Sequence, residues 1–95
     1  VVVEFPDGNE VDAGDDIKIV FVVRDPNGVK EFSWGIFTQN KTPLKDGKKD
    51  CGGATECRQE IKEEVPPIKG ALIAGVEAKS VNGQGKIGIG EFYVR

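Results

Sequence analysis

Thirteen glycines and five prolines divide the 95 residues of this chain into short β-branched and aromatic runs. Both residue types disfavour helix interiors. The punctuation therefore starves helices, and its spacing is that of turns in an all-β sandwich. Residues 1–5 read as a first strand, ended by the turn signal Pro6-Asp7-Gly8. A polar stretch over 9–16 leads into the clearest strand, 17–24, in which Ile17, Ile19, Phe21 and Val23 alternate onto one face. Val20 and Val22 share the second face with Lys18 and Arg24, which makes that face either partly covered or a docking surface.

Asp25-Pro26-Asn27-Gly28 matches a type I turn position by position, so the chain is expected to reverse there. The next strand carries Phe32, Trp34 and Ile36 in one phase and Ser33, Gly35 and Phe37 in the other, with Trp34 where a sandwich places its central aromatic. From 38 to 55 the composition turns to Lys, Asp, Gly, Asn and Thr, with Leu44 the only large aliphatic residue. This stretch reads as a long connection holding a short edge strand. Segment 56–65 is ambiguous, because Cys57, Ile61 and Val65 share one face in a helix and in a strand alike. Strand is favoured, since so short an isolated helix is marginal and the neighbouring segments need a sheet partner.

Pro66-Pro67 ends that segment either way. Leu72, Ala74, Val76 and Ala78 then alternate inward, Asn82-Gly83 marks a hairpin, and 86–95 closes the sheet. In this last strand Ile87 and Ile89 are out of phase with Phe92 and Val94; a bulge near Gly90-Glu91 would reconcile them. Gly88 and Gly90 leave a bare strip that a side chain such as Phe37 is expected to cover.

The hydrophobic share of 38% is enough for one small core, and residues 1–95 read as a single domain. With no methionine, the sequence reads as a segment excised from a larger multidomain protein. A net charge of −3, with lysines interleaved among carboxylates, argues against nucleic-acid binding. The absence of histidine excludes Ser-His-Asp and Cys-His catalysis and histidine-bearing zinc sites. No apolar run reaches the roughly 18 residues of a membrane span.

The order of short strands, with Asp25-Pro26-Asn27-Gly28-Val29 followed by Phe32-Ser33-Trp34, and Leu72, Ala74, Val76 and Ala78 as a penultimate strand, resembles a known group. It is similar to the immunoglobulin-like and fibronectin-type-III-like repeats of bacterial and archaeal surface or secreted proteins, including polycystic-kidney-disease-type modules. The resemblance implies an immunoglobulin-like sandwich of about seven antiparallel strands in two sheets. It implies binding, spacing or adhesion without chemistry of its own.

Among candidate sites, Cys51 and Cys57 flank Gly52-Gly53, whose flexibility lets two Cα atoms approach to disulfide distance. A disulfide that pins the end of the long connection and reports an oxidising compartment is favoured over a redox pair, half a metal site or two free thiols. Asp7, Glu10, Asp12, Asp15 and Asp16 form an acidic cluster in which Asp12, Asp15 and Asp16 are the calcium candidates. Solvated turn carboxylates are the plainer account. Gly83-Gln84-Gly85-Lys86-Ile87-Gly88 matches a dinucleotide pattern, but it lies in a strand and lacks the helix that such a loop requires. Asn40-Lys41-Thr42 is a glycosylation sequon, and Trp34, Phe37 and Tyr93 are candidates for an aromatic sugar platform, Trp34 fitting a core position better.

These readings converge on a non-catalytic structural or interaction module, an adhesion or spacer unit of an extracellular or cell-surface protein, with no cofactor. Its expected partners are neighbouring domains of the same chain and a protein or glycan ligand. The alternative is an accessory carbohydrate-binding module of a secreted hydrolase.

Overall fold

A computed structural model describes all residues from Val1 to Arg95. The chain is all-β, with six strands: β1 (Val2–Glu4), β2 (Glu10–Val11), β3 (Asp16–Phe37), β4 (Pro43–Glu64), β5 (Gly70–Ser80) and β6 (Gly85–Val94). They form one hydrogen-bonded sheet in the order β1-β3-β5-β6-β2, with β4 paired to β3 off this path. Every ladder is antiparallel except the short parallel contact of β2 with β6. The chain has no helix long and apolar enough to cross a membrane.

The two 22-residue strands shape the molecule. The first half of β3 lies between β1 and the last part of β4, with Val22 opposite Val2 and Ile19 opposite Ile61. Its second half lies between the first part of β4 and β5, so that Trp34 stands opposite both Gly47 and Val76. Between the halves the sheet curls, and β3 comes to face itself: the Phe21 ring stacks on the Trp34 indole, with centroids 5.7 Å apart and planes 17° from parallel. At the other end Phe5 closes on Phe92 at 5.9 Å. The result is a curled half-barrel.

Alternation fills its interior. Ile17, Ile19, Phe21 and Val23 of β3 meet Leu72, Ala74, Val76 and Ala78 of β5 and Phe92 of β6 in one buried cluster. Cys57, Ile61 and Val65 join it from β4, which makes 56–64 strand and resolves the ambiguity of that segment. Val20 and Val22, on the opposite face, are also covered, at 5% and 2% exposure. Their cross-strand neighbours Glu4, Glu60 and Arg58 have aliphatic stems suited to lie over them. Trp34 stands at the margin of the core, half-buried, and is not its central aromatic; Phe21, Phe32 and Phe92 hold that place. Gly47 is what admits the indole, since a side-chain carbon there would collide with it.

Several sequence expectations are corrected. The chain does not reverse at Asp25-Pro26-Asn27-Gly28; it bends within β3, and the register slips between Arg24 and Val29. The turn chemistry is present, with Asp25 Oδ1 accepting from the Asn27 amide at 2.8 Å and Gly28 at φ 96°. A strand paired on both sides of the bend converts that chemistry into a corner.

The segment read as a long connection is the first half of β4, and the true loop is the short Thr38-to-Thr42 turn, closed by a Thr38 amide bond to the Thr42 carbonyl of 3.0 Å. It is polar because it runs along an open sheet margin. In β6 the ladder is regular and has no bulge. Gly88 and Gly90 carry the inward phase on to Phe92 and Val94, and Val1, Val3 and Phe5, not Phe37, occupy the space above the two glycines. Ile87 and Ile89 point out. Joining the expected strands through the corner, and adding β2, gives six strands where about seven were expected.

Candidate binding face

The outward phase of the second half of β3, of β5 and of β6 makes one continuous surface. Its rows follow from the register: Phe37 beside Ile73 and Ile73 beside Glu91; Gly35 beside Gly75 and Gly75 beside Ile89; Ser33 beside Glu77 and Glu77 beside Ile87. Two glycines side by side on neighbouring strands leave a trough in such a face. Phe37 folds into one end of it, with ring carbons 2.5 Å from where a Cβ of Gly35 would stand and 3.6 Å from that of Gly75. The remaining groove, about 570 Å³, runs between Phe37 and Ile87 and is bordered by Ser33, Asp46, Lys48 and Glu77. Lys48 is held on the rim by an ion pair of 3.0 Å with Glu31.

Beside the groove the surface turns apolar. Ile87 and Ile89 are 76% and 70% exposed, the most open large hydrophobic side chains of the chain. Tyr93 continues the line, with its hydroxyl donating to Glu91 Oε2 at 3.0 Å. That bond and the carboxylate's charge raise the phenol's pKa above its ordinary value. The phenol is thus a hydrogen-bonded surface group.

A second polar centre sits at the corner. Asp25, which the sequence marks as a turn residue and, with Asn27, as a second polar group, is 3% exposed. Its carboxylate accepts from the Asn27 amide and pairs with Lys86 Nζ at 3.3 Å, while Lys86 also donates to the Arg24 carbonyl at 3.1 Å. The Asn27 amide bond is the main reason that the Asp25 carboxyl is held below its ordinary value; burial opposes the shift and Lys86 reinforces it. Because one strand supplies the acid and β6 the base, this centre fastens the corner to the start of β6.

The other candidates fall as follows. Cys51 and Cys57 are joined in a disulfide with Cα atoms 5.7 Å apart, and Cys57 faces the core. The bond closes a loop inside β4 at the level of the corner, with Gly52 and Gly53 both at positive φ. Asp12, Asp15 and Asp16 are not gathered around a common point. Asp12 pairs with Arg95 at 3.3 Å, Asp16 with Lys62 at 3.7 Å, and the Asp15 backbone braces the turn through bonds to Asp12 and Val65. No group of three or more acidic or thiol side chains is placed to hold a metal ion. Asn40 lies exposed in the Thr38-to-Thr42 turn, with its side-chain oxygen accepting from the hydroxyls of Thr38 and Thr42. Of the aromatic trio, Phe37 and Trp34 both line the groove, Trp34 half-buried from the inward phase, and Tyr93 lies on the outer face away from it.

The exposed isoleucines were missed because hydrophobicity alone places isoleucine inside. The signal that could have found them is the glycine pair Gly88 and Gly90, in phase with the inward Phe92. No protein-family model, known protein or solved structure matches this chain.

Proposed function

We propose that this chain is an immunoglobulin-like β-sandwich module, without catalysis of its own, that serves as an interaction unit of an extracellular or cell-surface protein. One observation carries the reading: Ile87 and Ile89 stand 76% and 70% exposed on a regular sheet face beside a groove. Adjacent apolar side chains held open on a rigid surface are a mark of recognition sites. The elongated form, 41 × 25 × 15 Å, suits a spacer between neighbouring domains of one chain. The Cys51–Cys57 bond supports an oxidising compartment.

The alternative, an accessory carbohydrate-binding module of a secreted hydrolase, draws support from the groove itself. Phe37 offers a sugar an apolar surface, and Ser33, Asp46, Lys48 and Glu77 offer hydrogen bonds on its rim. Amide chemical-shift mapping tests both readings. Titration with a flanking domain of the parent protein is expected to shift Ile87, Ile89 and Gly75, and titration with soluble oligosaccharides to shift Ser33, Phe37 and Glu77 if the alternative holds. A face silent to both kinds of partner would refute the interaction reading.

A further inference from the structure

The curled sheet leaves two long margins open, and they differ in character. β4 is bordered only by β3. Its margin is crowded with charge: Lys48, Glu56, Glu60 and Lys62 pair back onto β3, and the Cys51–Cys57 loop interrupts its course. Charge and irregularity on an edge keep foreign strands away. β6 has neither protection. β5 covers one side of it from end to end, but on the other side β2 reaches only Tyr93 and Val94.

The direction of the free peptide groups can be read from the groups that are capped. The Tyr93 amide donates to the Asn9 carbonyl at 2.7 Å, and the Glu91 carbonyl accepts from Asn9 Nδ2 at 3.4 Å. In an antiparallel ladder alternate residues turn both of their peptide groups to the same side. Ile87 and Ile89 therefore direct N–H and C=O away from β5, at the open margin, with their side chains exposed beside them.

We propose that this margin of β6 pairs, antiparallel, with the same margin of a second copy of the chain about a two-fold axis at Gly88. The central triplet Ile87-Gly88-Ile89 is symmetric about Gly88, with a glycine in one of each flanking pair, Lys86/Gly90 and Gly85/Glu91. Antiparallel pairing centred there sets Ile87 against Ile89 of the second copy and Ile89 against its Ile87, each exchanging both peptide hydrogen bonds. Directly opposed residues share a face, so the isoleucines of both copies form one cross-strand cluster.

The available window has the same centre. Asn9 caps the Glu91 carbonyl at one end, and the chain leaves the sheet at the Asn82-Gly83 hairpin at the other. Pairing in this register sets Lys86 opposite Gly90 and Glu91 opposite Gly85 of the second copy, and Lys86 is drawn off to Asp25, so no like charges are directly opposed. Two exposed isoleucines and one short strand edge from each copy make a contact at the small end of specific interfaces, below roughly 1,200 Å². An interface of that size belongs to the weak, transient class, and a Kd on the order of 100 µM is the value put to the test.

This inference rests on the outer face being an interaction surface. Sedimentation velocity and amide exchange on the full chain, from about 10 µM to about 1 mM, bracket that affinity. The expected result is a dimer fraction that grows with concentration. The Ile87 and Ile89 amides should exchange several-fold more slowly in the dimer, while those of core residues such as Ile19 hold constant. The double variant Ile87→Lys/Ile89→Lys, altered only at exposed positions, is expected to keep its circular dichroism and remain monomeric. A wild-type monomer throughout the range overturns the proposal. So does a dimer whose Ile87 and Ile89 amides are unprotected, or a double variant that dimerises as the wild type does. A monomer that still shifts at Gly75 or Phe37 with a flanking domain or an oligosaccharide overturns self-pairing alone; one silent to both overturns the interaction reading with it.

Discussion

The corner of β3 rests on one residue without a side chain. At Gly28 the backbone holds φ at 96°, and a Cβ built there would strike the carbonyl oxygen of Gly53 and come within 3.2 Å of Val81 Cγ2. Gly28→Ala therefore meets two separate penalties. The left-handed backbone costs an alanine about 1–2 kcal/mol, and forcing a methyl into a filled space costs about 1–3 kcal/mol. The reduced freedom of the unfolded chain returns about 0.4–1 kcal/mol. The net is a loss of about 3 kcal/mol, which at an ordinary urea slope of about 1–3 kcal/mol per molar moves the unfolding midpoint down by roughly 1–3 M.

A control separates the two penalties. Gly14 has φ 87° and nothing within 4 Å of its would-be Cβ, so Gly14→Ala carries the backbone penalty alone. Its cost is expected to be about 1 kcal/mol. The neighbour struck at Gly28 belongs to the loop that Cys51–Cys57 closes, so removing that bond frees Gly53 to retreat. In a double-mutant cycle the Gly28→Ala loss should shrink by about 1 kcal/mol in the Cys51→Ser/Cys57→Ser background. Equal losses for Gly28→Ala and Gly14→Ala, or a Gly28→Ala loss under about 1 kcal/mol, would refute the reasoning.

Three further outcomes are expected. Asp25 has its carboxyl pKa lowered by folding, so the stability it contributes is present above the unfolded value of 3.8 and is lost as pH falls through the lower folded value. Thermal midpoints of wild type and Asp25→Asn should accordingly converge in acid, and a gap independent of pH between 6 and about 2 would contradict this. Removing the disulfide, which closes a short loop, should cost about 2 kcal/mol and leave a folded protein; global unfolding of Cys51→Ser/Cys57→Ser in circular dichroism would count against it. Trp34→Ala should cost about 2–3 kcal/mol, because a half-buried indole loses its Phe21 stack and little interior volume. A measured loss of 5 kcal/mol or more would mean the ring is enclosed.

Much of this fold could be read in the residues before any coordinates. Ile17 to Val23 and Leu72 to Ala78 alternate so regularly that their inward faces needed no structure, and two cysteines around a glycine pair announced their bond. Local chemistry did not reveal what depends on partners. The Asp25-to-Gly28 signal serves a reversal and a corner equally well; only β1 and the far part of β4 on one side, and β5 on the other, decide between them. The first half of β4 looks like loop because an edge strand has little need of apolar residues. Ile87 and Ile89 look like core because isoleucine favours the interior, and only the arrival of Val1 and Val3 over Gly88 and Gly90 turns them outward. The groove face was equally hidden, since Gly35 and Gly75 become neighbours only through the β3–β5 register.

The continuity of β3 and β4 through the bend bears on how the molecule comes apart. Each strand contributes backbone bonds to both arms of the curl, so an arm that loosens drags on the other through unbroken chain. Phe21 and Trp34, one from each arm, would part in the same motion. Such a molecule should yield to heat or to tension in a single step, with no stable half-open form for a protease or an unwanted strand to exploit.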